Sequence, residues 1–124
     1  MCLVEGEDNP PKFFRELTPL AHKQHQCGEC GRVIQPGERY IRASGKWDDR
    51  TSTHKICAHC RIAAEWLNEA CGGYLFGAVH EDFAEHATGS FSMLRIVVGS
   101  RRRWRSFADP AILMPIPAEP ALTP

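Results

Sequence analysis

Cys27-Gly28-Glu29-Cys30 and Cys57-Ala58-His59-Cys60 place four thiols in two Cys-x-x-Cys pairs, with the 26 residues from Gly31 to Ile56 between them. A thiolate is a soft anionic ligand, and two intervening residues let one tight turn aim both sulfurs of a pair at a single ion. Two such pairs suit one tetrahedral zinc ion held by Cys27, Cys30, Cys57 and Cys60. Four protein ligands leave no open coordination position, so the expected role is structural rather than Lewis-acid catalysis. Two histidines complicate the set: His59 lies inside the second pair, and His54 forms a His-x-x-Cys with Cys57 that offers a ligand in place of Cys60. The competing chemistry is redox, as two disulfides or two reactive dithiols. Thioredoxin-like chemistry needs its Cys-x-x-Cys beside a βαβ pattern, and none is visible.

The second cluster is Arg101-Arg102-Arg103-Trp104-Arg105. Arginines can grip phosphates while an indole stacks on a base or a partner's side chain. The plainer reading is that these arginines pair with an acidic stretch and that Trp104 fills the core. A further basic surface is expected at a hairpin carrying Lys46, Trp47 and Arg50, with Arg32, Arg39, Arg42 and Lys55 nearby. His22 and His25 read as polar residues beside the first pair. His80, Asp82 and His86 read as a solvated helix face.

Net charge is zero, but the charges are segregated. Residues 22–61 carry a net +4, residues 62–86 a net −5 with no Lys or Arg, and residues 87–108 a net +5 with no acid. A near-neutral total therefore hides a basic module, an acidic helical stretch and a basic segment after it.

The elements that must position these residues follow from pattern. Residues 1–24 read as a loose arm, blocked by Asn9-Pro10-Pro11, in which Phe13, Phe14 and Leu17 are expected to dock as a short helix or an extended anchor. Residues 27–31 form a knuckle and residues 33–38 a short strand and turn. Residues 40–44 and 51–56 form a hairpin about a turn at 45–50. A helix enters at Cys57 and runs to about Ala70, stopped by Gly72-Gly73. Helices are also predicted over 74–87 and, less regularly because of Gly99 and Ile96-Val97-Val98, over 91–105. The segment from Asp109 holds five prolines and cannot be helical; residues 111–114 suit a short extended strip, and disorder is expected beyond Pro117.

The fold class is therefore α+β: a treble-clef-like zinc module of knuckle, β-hairpin and helix, then two further helices and a Pro-rich tail. The domain organisation read from the sequence is an arm at 1–24, a single domain at 25–108 and the tail at 109–124. No apolar run approaches the roughly 18 residues of a membrane span. The opening residues lack the basic-then-apolar pattern of a signal peptide, which sets the cytoplasm as the expected location.

The pattern CGECGRVIQPGERYIRASGKWDD…HKICAHC, continued by CGGYLFGAVHEDFAEHA, resembles small zinc-finger proteins of bacteriophages and prophages. The likeness spans residues 25 to about 105 and rests on the Cys pairs and the Ile34-Gln35-Pro36-Gly37-Glu38 turn. It implies a phage origin, a location in the bacterial host cytoplasm and a metal site, but no activity. HNH-type nucleases also carry paired Cys-x-x-Cys, yet this chain lacks their Asp-His…Asn…His core between the pairs. The function expected is non-enzymatic: an accessory protein that binds a macromolecule, favoured as nucleic acid through Lys46, Trp47, Arg50, Arg101, Arg102, Arg103, Trp104 and Arg105. The alternative is an inhibitor that binds a host protein or defence complex, with a zinc-stapled hydrolase or nuclease third. Neither a membrane nor a small-molecule substrate is expected as a partner.

Overall fold

Between the two Cys pairs lies an antiparallel hairpin of β4 (Tyr40–Trp47) and β5 (Arg50–Cys57). The structure, a computed structural model, describes residues 13–47, 50–87 and 89–122. The hairpin runs in register from Tyr40 opposite Cys57 to Trp47 opposite Arg50. Its strands are longer than the sequence predicts, because Gly45 and Lys46 pair with Ser52 and Thr51 instead of turning. A Gly in a strand suits a place where backbones approach closely. Gly45 lies in the central strand, with Phe14 on one side and Ser52 on the other.

The third strand is β1 (Phe13–Leu17), antiparallel to β4, giving the order β1-β4-β5. Part of the predicted loose arm is thus the edge of the main sheet. The exposed edge of β4 carries backbone donors and acceptors that need partners, and the arm supplies them. The pairing continues past β1 through a Leu20–Arg39 bridge and the bond from Ala21 N to Glu38 O at 2.8 Å. Residues 1–12, including Asn9-Pro10-Pro11, lie outside the described residues, as does the side chain of Trp47.

Two short strands, β2 (His25–Gln26) and β3 (Val33–Ile34), pair antiparallel and bracket the first Cys pair. Helix α1 (Ala58–Cys71) starts on the second pair. It ends at Gly72, whose φ of 77° lets its N–H reach Asn68 O. Helix α2 (Val79–His86) is shorter than predicted. Residues 74–78 instead turn through Gly77 at φ 85°, with Tyr74 edge-on to Phe76 and Phe76 stacked on His54. Helix α3 (Phe91–Arg101) is N-capped by the Ser90 hydroxyl, which accepts from Met93 N. It stops four residues before the predicted end, because Arg103 and Trp104 take left-handed backbone with φ 53° and 63°.

The core lies between the inner sheet face and the helices: Ile41 and Ile56 cluster with Ala63, Ala64 and Leu67 of α1, Val79 and Phe83 of α2 and Ile96 of α3. The expectation of disorder after Pro117 is replaced by packing. Pro120 is buried, and the Trp66 indole donates to Ala121 O at 3.3 Å. Of the predicted strip at 111–114, only Leu113 and Met114 are extended, through an Arg105–Leu113 bridge and the bond from Met114 N to Trp104 O; residues 111 and 112 turn, with Ile112 N donating to Asp109 O.

Candidate metal centre

The sulfurs of Cys27, Cys30, Cys57 and Cys60 all lie within 4.8 Å of one another. Cys27 Sγ is 3.7 Å from Cys60 Sγ and Cys30 Sγ is 3.9 Å from Cys57 Sγ. A disulfide would need about 2.05 Å, so these four are separate thiols. Metal–sulfur bonds of about 2.3 Å in a regular tetrahedron set sulfur–sulfur edges near 3.8 Å. The four sulfurs thus have the spacing of a tetrahedral thiolate site and could bind one metal ion.

Local chain geometry explains the convergence. Gly31, at φ 83°, closes the first knuckle, with its N–H bonded to Cys27 O at 3.1 Å. Gly28 N donates to Lys55 O at 2.7 Å, which fastens that knuckle to the end of β5 just before Cys57. Cys57 is the N-cap of α1, its sulfur accepting from Cys60 N. A helix N-terminus favours negative charge, so the second pair sits where thiolates are stabilised.

Further donors surround the sulfurs. Glu29 N and Cys57 N both donate to Cys27 Sγ, and Arg32 N donates to Cys30 Sγ, each at 3.4 Å. Cys60 Sγ accepts from the Trp104 indole at 3.4 Å and lies 3.0 Å from His80 Nε2. Such N–H···S bonds spread thiolate charge and orient the ligands. The thiols divide electrostatically: hydrogen bonds from Cys27, Cys30 and Cys60 push Cys57 far down, whereas Cys60 and Cys30 are pushed up by their sulfur neighbours. Crowded, buried sulfurs resist carrying four negative charges together, and a bound cation removes that conflict.

One side of the cluster carries a buried polar network. Arg32, only 3% exposed, grips Glu38 through two bonds of 2.8 and 3.1 Å and reaches Val33 O at 2.9 Å. Burial works against its charge, but hydrogen bonding to Glu38 and the nearby Cys57 sulfur hold its pKa above the usual value. Arg32 also lies 3.2 Å from His59 Nδ1, and His59 Nε2 donates to Met114 O, which ties the tail to the second pair.

His59 is therefore a bridge to the tail, and His54 stacks face to face on Phe76; neither belongs to the sulfur cluster. Arg32, read from sequence as part of a basic surface, is interior. The solvated face expected for His80, Asp82 and His86 is also corrected: Asp82 is 1% exposed and 3.4 Å from His86, and His80 points at Cys60. Burial pushes the His80 imidazole down to about 4, so it is neutral near pH 7. His80 lies three residues before Phe83 and so shares its side of the helix, but no local spacing points to the Cys60 sulfur. Trp104 is 1% exposed, so its ring is not on the surface with the arginines. Arg101 and Arg103 are exposed, while Arg102 covers the Phe107 ring at 3.7 Å. Lys46 and Arg50 are exposed near the hairpin tip.

Glu29 links the first knuckle to α2. Its carboxylate accepts from Gly77 N at 2.8 Å and Val79 N at 3.2 Å, serving as the cap that Ala78 cannot provide. Burial raises its pKa, and these two N–H bonds counter part of that shift. Glu29→Ala is expected to lower stability by about 1–2 kcal/mol, the usual range for a lost helix cap. Urea denaturation would measure this, and an unchanged midpoint would remove Glu29 from that role.

Comparison with protein-family models, curated proteins and solved structures found no match to this chain.

Proposed function

We propose that this chain is a zinc-binding accessory protein of treble-clef-like design that binds the phosphate backbone of a nucleic acid. Zinc is the ion favoured by four thiolates at tetrahedral spacing, and the order of knuckle, hairpin and helix suits a treble clef. A closed ligand set makes the centre a structural staple, so the reading is of a binding protein rather than an enzyme. The phage or prophage origin and the host cytoplasm come with the resemblance of residues 25–105.

One observation carries the nucleic-acid reading. Arg42, Lys46, Arg50, Arg101 and Arg103 are exposed, and none of them belongs to an ion pair among the described residues. In particular, no ion pair among the described residues joins residues 101–105 to the acidic stretch 62–86, so the mutual neutralisation that their charges suggest does not account for these arginines. Cations left facing solvent suit phosphate contacts, whose affinity falls steeply with salt.

Fluorescence anisotropy with single- and double-stranded DNA and RNA tests this reading. Binding at 50 mM salt that weakens steeply toward 200 mM is the expected result, in line with counterion release. Absence of binding to every one of these at low salt overturns it.

A protein partner is the second reading, favoured by one helix face. Phe91 is 88% exposed, and Leu94 and Val98 extend the same side of α3 at 45% and 41%. An inhibitor of a host or defence complex would present such a row, and recovery of one stoichiometric partner from host lysate would favour it.

A further inference from the structure

The outer face of the β1-β4-β5 sheet has a composition that neither stability nor the metal centre explains. Side chains alternate across a strand, so Arg42, Ser44 and Lys46 of β4 share one face with Arg15 of β1 and with Thr53 and Lys55 of β5. Ile41, Ala43 and Ile56, on the opposite face, are buried in the core. The only acid of β1, Glu16, sits in register with Ala43 and so belongs to that opposite face. Among the described side chains of the three strands, the exposed part of the outer face carries four cations, hydroxyls and Leu17, and no carboxylate.

Arg42 stands directly opposite Lys55 in the ladder. Like charges directly opposite in a sheet are destabilising, and an acid at either position would be more stable. Arg15, Leu17, Arg42 and Ser44 also line a shallow cleft of about 250 Å³. Arg15 pairs with Ser44 and Leu17 with Arg42, which makes the two arginines diagonal neighbours. Diagonal positions lie about 7–8 Å apart, within reach of one another for long side chains. Both guanidinium groups can therefore converge on one anion, with the Ser44 hydroxyl beneath them.

We propose that this sheet face, centred on Arg15, Arg42 and Ser44, is a docking surface for the phosphodiester backbone of a nucleic acid, distinct from the arginines that follow α3. The inference rests on the nucleic-acid reading above and assigns that reading its principal site. Guanidinium, ammonium and hydroxyl donors all match phosphate oxygens. Contacts of this kind fix position without reading bases, so binding here is independent of sequence.

The test compares wild type, Arg15→Glu/Arg42→Glu and Arg101→Glu/Arg103→Glu for binding labelled DNA and RNA oligonucleotides between 50 and 300 mM salt. The sheet-face variant is expected to bind on the order of tenfold more weakly at low salt. Its slope of log affinity against log salt should be shallower by about 2, one for each lost cation. Its melting temperature should hold or rise, because a glutamate at position 42 faces Lys55; Arg15→Gln/Arg42→Gln repeats the test without charge reversal. Wild-type binding with unchanged affinity and slope in both sheet-face variants overturns the site and leaves the nucleic-acid reading standing. Wild type that binds no nucleic acid at low salt overturns the reading itself.

Discussion

Cys57→Ser should purify without stoichiometric metal and without a cooperative melting transition. Cys57 does three things at once. Its sulfur is one of the four clustered ligands, it caps α1 by accepting from Cys60 N, and its own N–H donates to Cys27 Sγ at 3.4 Å. Serine keeps the capping oxygen but not the soft thiolate, so the metal is lost while the cap survives. Structural zinc is worth roughly 10–16 kcal/mol in small zinc-dependent folds. Whole domains are stable by only about 5–15 kcal/mol. Loss of a zinc ion held by these four sulfurs would therefore exceed what this small core can absorb. Native mass spectrometry and circular-dichroism melting check it, and a strong chelator should reproduce the result in wild type. Full metal content, or a wild-type melt, in Cys57→Ser would disprove the staple.

Trp104→Ala should cost about 3–5 kcal/mol, the usual penalty for emptying a fully buried aromatic site. The indole covers the four-sulfur cluster from the α3 side, donating to Cys60 Sγ at 3.4 Å while its ring lies against His59. It gets there through two successive left-handed residues, Arg103 and Trp104, each costing on the order of 1 kcal/mol for a side-chain-bearing residue. That cost is offset by burial and by the bond from Trp104 N to Gly99 O at 2.7 Å. Gly99 provides the space, because a Cβ there would sit 2.6 Å from the indole. Gly99→Ala should therefore be destabilising by about 1–3 kcal/mol, although alanine is the better helix former. Trp104→Phe should be milder than Trp104→Ala, since it keeps most of the packing and loses the N–H···S bond. Chemical denaturation of the three variants and of Gly99→Ala/Trp104→Phe tests this. Additive losses in that double variant would show that Gly99 and Trp104 do not interact.

Position 99 also shows why part of the fold was hidden. In sequence, Gly99 only weakens a helix. Its purpose appears once the chain reverses after Arg102 and returns the indole to it. His80 is similar: its sequence neighbours suggest a helix face, but the sulfur it approaches belongs to Cys60, 20 residues earlier. Glu29 lies inside a Cys-x-x-Cys, where it reads as a spacer, and its helix lies 50 residues downstream. Each depends on contacts between distant segments, which no local period or propensity encodes.

What the sequence determined by itself was local: the paired cysteines, the hairpin between them, and α1 with its glycine stop. Two-residue spacers, β-branched alternation and helical apolar spacing act within a few residues, so they survive without knowledge of the fold. Tertiary structure alone decided that the arm is the edge strand β1 and that the tail packs beside Trp66. It also decided that Trp104 is interior and that Arg15 joins Arg42 on one sheet face. The reason is that hydrogen-bond partners for a free strand edge, and space for a buried ring, come from segments far apart in the chain.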